Sequence, residues 1–235
     1  MKGDFNEKIF VGLTAKKGKG WEKKLRDIKK YKIKKFVLFI EEIKKEDREK
    51  LYKKLLNNNF EIPFVHIRCD TDKKELEFLS KNFKSRYFNI HENHFEDLKK
   101  WNGFLKRLCV ELNYDDYIPK IMDVNKIGGF CIDLSHFKAA EERGSKEFSY
   151  VFKRRKNDKK FICNHLNGYS YKKRRDLHLV SSTKEFDYLI SLPKFVFGKI
   201  IALEMYNSIS EQLKFKKYLV KLLEDKFKKP DIYEK

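Results

Sequence analysis

The sequence predicts an α/β fold, a compact (β/α)8 TIM barrel that takes up residues 1–235 as a single domain. Three observations predict it. Strand-like apolar runs alternate with helix-like segments along the chain, and such alternation implies parallel pairing. Eight such runs can be counted, the strand number of this barrel. Six of the runs end in His, Asp or Glu, and a barrel keeps its site residues at the C-terminal ends of its strands.

The elements follow in order. Residues 8–14 (KIFVGLT) read as the first strand and 17–31 as a helix. Strand 35–41 precedes helix 44–59, and strand 63–69 precedes helix 70–83, with Asp70 or Thr71 as its N-cap. Strand 86–91 leads into a long helix over 94–113. Residues 120–125 (KIMDVN) and the run GFCIDL then read as strands five and six. Only a short Gly-Gly link joins them, so the helix between strands five and six is expected to be missing. A helix over 137–156, strand 161–166, a short helix near 184–191, strand 199–205 and a closing helix over 208–227 complete the chain. No internal repeat, low-complexity tract or linker interrupts it.

Side-chain parity supports the barrel, because residues i and i+2 of a strand share a face. With His66 inward, Val65 and Ile67 point out to the helices. With His91 inward, Phe88 and Ile90 point out. Asp133 inward sends Phe130, Ile132 and Leu134 outward, and Glu204 inward does the same for Ile201 and Leu203.

Composition narrows the class. A hydrophobic share of 41% with 15% aromatics argues for a folded globule. No apolar run approaches the roughly 20 residues that span a bilayer, and the N-terminus lacks a signal-peptide pattern. A soluble cytoplasmic protein without a membrane partner is expected. The four cysteines are widely spaced with no C-x-x-C, which points to reduced core thiols. The net charge of +20 favours a polyanionic partner. Lysine enrichment of this kind also arises from composition alone.

The polar strand ends are the candidate site: His66, His91, Asp123, Asp133, His136, His165, Asp176, His178 and Glu204. Imidazoles and carboxylates without thiolate suit a divalent metal, zinc first, with manganese or magnesium as alternatives. A paired-metal site can activate water and stabilise the oxygens of a phosphodiester. A single ion can instead polarise a sugar carbonyl while Asp123 or Glu204 moves a proton.

These residues resemble a family. DLSH at 133–136, HLN at 165–167, DLH at 176–178 and LE at 203–204, in that order, are similar to the xylose isomerase-like superfamily of TIM barrels. It includes endonuclease IV-type AP endonucleases and many sugar isomerases and epimerases. The resemblance runs from about residue 8 to 205 and is most specific from 130 onward. It implies a shared metal site at Asp123, Asp133, His165 and Glu204. In the nuclease branch, which binds three zinc ions, it implies His66 and His91 as early ligands and His136, Asp176 and His178 around a third ion. The family carries Glu on strand five, where the nearest candidate here is Asp123, one methylene shorter.

The basic charge falls partly on the same barrel face. Lys16, Lys17 and Lys19 follow strand one; Lys172, Lys173, Arg174 and Arg175 follow strand seven, with Tyr169 and Tyr171 interleaved as candidates for stacking on a base or sugar. The expectation is a metal-dependent hydrolase acting on abasic DNA, with Glu204 and Asp123 catalytic. The alternatives are a divalent-metal isomerase or epimerase of a sugar or sugar phosphate, and a nucleic-acid-binding barrel that has lost catalysis.

Overall fold

The computed structural model describes residues 4–112, 123–231 and 233. Strands β1 (Ile9–Phe10), β2 (Gly12–Leu13), β3 (Val37–Phe39), β4 (Phe64–His66), β5 (Tyr87–His91), β6 (Leu108–Glu111), β7 (Gly129–Asp133) and β8 (Phe161–Leu166) are followed by a hairpin, β9 (Gly168–Ser170) and β10 (Arg175–Leu177), and by β11 (Ile200–Leu203). All but the hairpin form one sheet in the order β1-β11-β8-β7-β6-β5-β4-β3-β2, parallel at every pairing. β1 and β2 end that order on opposite sides, yet only Val11 separates them in the chain. They are two halves of one strand, so the sheet closes into a (β/α)8 barrel.

The seam at that strand has its own fastening. A Cβ on Gly12 would stand 2.1 Å from the Leu203 carbonyl oxygen. Glycine is what lets the strands approach there. The Gly12 N–H donates to Gln212 Oε1 (2.8 Å), and Gln212 Nε2 donates back to Gly12 O (3.1 Å). Gln212 is the only glutamine in the sequence and is fully buried.

Helices α1 (Phe5–Lys8), α2 (Trp21–Lys30), α3 (Lys45–Leu56), α4 (Lys73–Phe83), α5 (Leu134–Arg143), α6 (Lys146–Phe152) and α7 (Ile209–Lys228) surround the sheet, with 3-10 segments at Glu92–Trp101 and Thr183–Ile190. The core has two layers. Val65, Ile67, Phe88, Ile90, Phe130, Ile132, Leu134, Ile201 and Leu203 belong to the large cluster shared with the helices. Phe39, Phe64, Cys109, Cys131, Cys163 and Ala202 form a smaller one. Members of the two clusters alternate along β4, β7 and β11, which is the parity expected of a barrel. Trp21 and Trp101 are both buried, and Trp101 Nε1 donates to Thr71 O (2.9 Å).

Strand five is where the sequence expectation fails. The predicted long helix over 94–113 is instead the 3-10 segment Glu92–Trp101, a break, and strand β6 at Leu108–Glu111. Gly103 at the break has φ 92°, a left-handed conformation that ends a helix. Leu105, Leu108 and Leu112 fit a helical period as well as a strand, and this hid the strand. Residues 120–122 of the expected strand lie outside the described residues; from Asp123 the chain enters a short 3-10 turn, Val124–Lys126. The expected loss of a helix between strands five and six falls largely on 113–122, also outside the described residues.

Smaller differences have local causes. The helix expected over 137–156 is two, α5 and α6, because Gly144 ends the first with φ 61° and Ser145 caps the second. The N-cap of α4 is Asp72, whose side chain accepts from Glu75 N–H (2.9 Å), rather than Asp70 or Thr71.

Candidate metal centre

The site forms at the end of the barrel where the parallel strands finish. Its ligand candidates lie one pleat beyond the inner layer: Phe39–Glu41, Phe64–His66, Cys109–Glu111, Cys131–Asp133, Cys163–His165 and Ala202–Glu204. Small residues on β6, β7, β8 and β11 leave room above them, while Phe39 and Phe64 close the other side against His165, at centroid distances of 5.1 and 5.6 Å.

Glu111, Asp133, His165 and Glu204 are all buried, and their ligand atoms lie within 4.8 Å of one another. His165 Nδ1 stands 3.2 Å from Glu111 Oε2 and 3.3 Å from Glu204 Oε2. Ligand atoms of a tetrahedral zinc with bonds of roughly 2.0–2.1 Å stand about 3.3–3.4 Å apart. His66 groups with Glu111 and His165 in the same way. Its Nε2 lies 3.1 Å from His91 Nε2 and 3.8 Å from Glu111 Oε2, so Glu111 faces two ligand groups at once. Asn89 Nδ2 donates to Glu111 Oε2 (2.7 Å) and holds it there.

Asp133 ends β7 and caps α5. Its Oδ1 accepts from the N–H groups of Ser135 and His136 (both 2.9 Å), and its Oδ2 accepts from Asn167 Nδ2 (3.0 Å). The cap fixes the carboxylate and turns His136 back over the barrel mouth. There His136 Nε2 lies 3.7 Å from Asp176 Oδ1, and His178 Nε2 lies 3.0 Å from Asp176 Oδ2. Asp176 is carried by the hairpin, opposite Tyr169 in the β9–β10 register. With its Nδ1 as donor, His178 bonds Glu204 O (3.2 Å), which aims Nε2 at Asp176.

The electrostatics are those of a cluster assembled around positive charge. Burial, then the charges of Glu111 and Asp133, push Glu204 well above the usual carboxylate range. Burial also raises Glu41, to about 7. Burial works against ionising Glu111, but His165, His91 and His66 together hold its carboxyl well below the ordinary value. Burial disfavours a charged His66 and drives it well below the ordinary histidine value. Burial likewise opposes charge on His136, yet Asp133 and Asp176 outweigh it and raise this imidazole to about 9.

The donor set fits divalent ions. His165 Nε2 and His66 Nδ1 are buried without a hydrogen bond, and buried polar atoms are ordinarily satisfied. All six histidines of the chain, His94 included, lie in or just after strand ends at this mouth. Burial and neighbouring His91 lower His94. Buried groups of His, Glu and Asp can therefore hold a metal ion here.

Asp123 is not among them. It half-exposes its side chain in the turn before β7, where Lys160 Nζ donates to Val124 O (3.0 Å) and Ile127 O (3.1 Å). That places it at the opposite end of the strands from Asp133. Its carboxylate caps the turn by accepting from Asn125 N–H (3.0 Å). The strand-five carboxylate is Glu111, and the expected departure from Glu is not present. Two acids escaped sequence reasoning, Glu111 and Glu41. The first was hidden in a misread helix. A repeated signal could have found it: Cys109-x-Glu111 matches Cys131-x-Asp133 and Cys163-x-His165.

The basic residues divide. Lys172, Lys173, Arg174 and Arg175 are exposed at the hairpin tip, with Tyr171 54% exposed beside them. Tyr169, expected to stack on a ligand, is 2% exposed and donates its hydroxyl to Glu142 Oε2 (2.9 Å). Of the two tyrosines, only Tyr171 presents its ring to solvent. Lys16 and Lys17 are exposed. Lys16 Nζ sits 5.6 Å from the Tyr206 ring centroid, and that ring lies 5.3 Å from His178. Lys16, Lys19 and Lys24 line a cavity of about 230 Å³ with Tyr206.

Among the described residues no helix is long and apolar enough to cross a membrane. A scan against protein-family models and a search of curated proteins give no match. The functional reading therefore rests on residues and geometry.

Proposed function

We propose that this chain is a metal-dependent phosphodiester hydrolase that acts on abasic DNA and resembles the endonuclease IV-type AP endonucleases. The observation that carries this reading is Glu111. With Glu111 rather than the expected Asp123 at the end of strand five, three groups of candidate ligands lie at one mouth: His66, His91 and Glu111; Glu111, Asp133, His165 and Glu204; and His136, Asp176 and His178. A single-ion isomerase has no need of the paired His66 and His91; the D-x-H of Asp176 and His178 suits either branch.

Bound there, divalent ions supply Lewis-acid polarisation of a phosphoryl oxygen and activation of water. Zinc is the choice that the mixed imidazole and carboxylate set favours. The protein's own groups do the rest. Asn89 and the α5 cap hold two carboxylates in fixed positions, and Phe39 and Phe64 pack against the His165 ring and fix its orientation. Glu204, whose proton affinity burial and the neighbouring Glu111 and Asp133 charges raise, is suited to hold and release a proton. The hairpin that carries Asp176 also carries Lys172, Lys173, Arg174 and Arg175, so a phosphate backbone gripped at the tip lies next to the cluster.

The test is incubation of the zinc-loaded protein with a duplex bearing one abasic site, beside an undamaged duplex and a panel of sugar phosphates. A nick at the abasic position alone is expected. An intact duplex with isomerised sugar phosphate would replace this reading with the isomerase. Salt-dependent DNA binding with neither reaction, from protein that holds its ions, would leave a binding barrel.

A further inference from the structure

Glu41 belongs to none of the positions that the nuclease resemblance supplies, yet it faces the cluster. Its backbone is tied in place. Ile40 N–H donates to His66 O (2.9 Å), and Arg68 Nη1 donates to Glu41 O (3.1 Å). Its Oε2 is buried with no hydrogen-bond partner and lies 3.9 Å from His66 Nδ1, which is also buried and without one. His66 itself is 1% exposed.

The His66 ring is held from several sides. His165 stacks on it at 4.9 Å and 30°, and Phe39 meets it edge-on at 6.0 Å. The ring cannot swing away without losing these contacts, so each nitrogen addresses one direction. Nε2 points to His91 and Glu111, the ligand side. Nδ1 points to Glu41. A neutral imidazole that offers the Nε2 lone pair must carry its proton on Nδ1. Buried from water, that proton needs an acceptor, and the Glu41 carboxylate is the group that Nδ1 faces.

We infer that Glu41 is a positioning residue for the metal centre: it accepts the His66 Nδ1 proton, selects that tautomer, and so directs Nε2 to the ion shared with His91 and Glu111. The inference rests on the metal-centre reading above. Carboxylates behind a ligating histidine act in this way elsewhere, and their loss weakens metal binding about 10–100-fold. At 3.9 Å the two atoms stand just beyond hydrogen-bond distance.

The test compares Glu41→Ala, Glu41→Gln and wild type by zinc titration against a competing chelator, with long-range ¹H–¹⁵N NMR of the His66 ring in zinc-loaded protein. Thermal unfolding in chelator checks that each variant folds. Glu41→Ala should lose about 10–100-fold in affinity for one ion while the others stay bound, and the Nδ1–H signature of His66 should weaken. Glu41→Gln should stay close to wild type, because its amide oxygen still accepts the proton. Alanine loading like wild type would overturn the inference. Glutamine losing as much as alanine would also overturn it and make Glu41 a ligand itself, alongside His66 and Glu204. Wild type that binds no zinc would remove the metal centre, a failure separate from either.

Discussion

Replacing Glu111 by Gln should remove ions from two positions at once, whereas replacing Asp123 by Asn should remove none. Glu111 Oε2 lies 3.2 Å from His165 Nδ1 and 3.8 Å from His66 Nε2, so one carboxylate serves both ligand groups. Apparent binding free energies of about 10–16 kcal/mol for four-ligand zinc sites correspond to about 2.5–4 kcal/mol per ligand, or about 10²–10³ in affinity at each position. Gln keeps the volume and can still contact Asn89, so the fold should survive. Asp123→Asn keeps a side-chain oxygen for the Asn125 N–H, and its effect on stability should stay within about 0.5 kcal/mol. The assay is zinc content by elemental analysis after dialysis against a weak chelator, for both variants and wild type. Glu111→Gln should retain only the ion at His136, Asp176 and His178. Full zinc content in Glu111→Gln, or loss of zinc from Asp123→Asn, would refute the assignment of strand five.

Three further outcomes follow from the same geometry. Gln212→Leu strands the Gly12 N–H and C=O at the barrel seam; unfolding should show a loss of about 3 kcal/mol, or about 6–12 °C in Tm at this size. Removing charge at the hairpin tip (Lys172, Lys173, Arg174 and Arg175 to Ala) should lower the slope of log affinity for DNA against log salt by about 2–4, with zinc content unchanged. Without metal, Glu41 and His136 should each contribute stability that falls as pH rises, read as the difference in slope between wild type and Glu41→Gln or His136→Gln. Folded Glu41 titrates near 7 against 4.5 unfolded, and folded His136 near 9 against 6.5. In both cases the folded state holds the extra proton, so stability present at low pH is lost between about 5 and 9, by at most about 1.4 kcal/mol per pH unit for each proton. Denaturant melts in chelator across that range measure it, and added zinc should flatten the slope.

Much of this was legible in the sequence because the barrel writes itself in two periods. Alternation along 64–66, 129–133 and 200–203 marks which residues face in, and the polar residues at strand ends mark the mouth. His66, His91, Asp133, His136, His165, Asp176, His178 and Glu204 all lie there. Strand five was not legible because Leu108–Glu111 is short and sits in a run whose leucines also satisfy a helical period. The same ambiguity draws Asp123 into the pattern: with strand five hidden, the acid in the turn before β7 follows an apolar run as the true strand ends do. Glu41 lies beyond a wholly apolar strand, and only the closure of the barrel brings it to His66. The burial of Tyr169 depends on Glu142 of α5, a contact that spacing along the chain does not announce.

The central claim is a metal centre organised around a shared Glu111. Anomalous scattering from zinc-soaked crystals, collected on both sides of the zinc edge, tests it most directly. Separate peaks are expected among His66, His91 and Glu111, among Glu111, Asp133, His165 and Glu204, and among His136, Asp176 and His178. An empty mouth, or a peak at Asp123 with none beside Glu111, would contradict it.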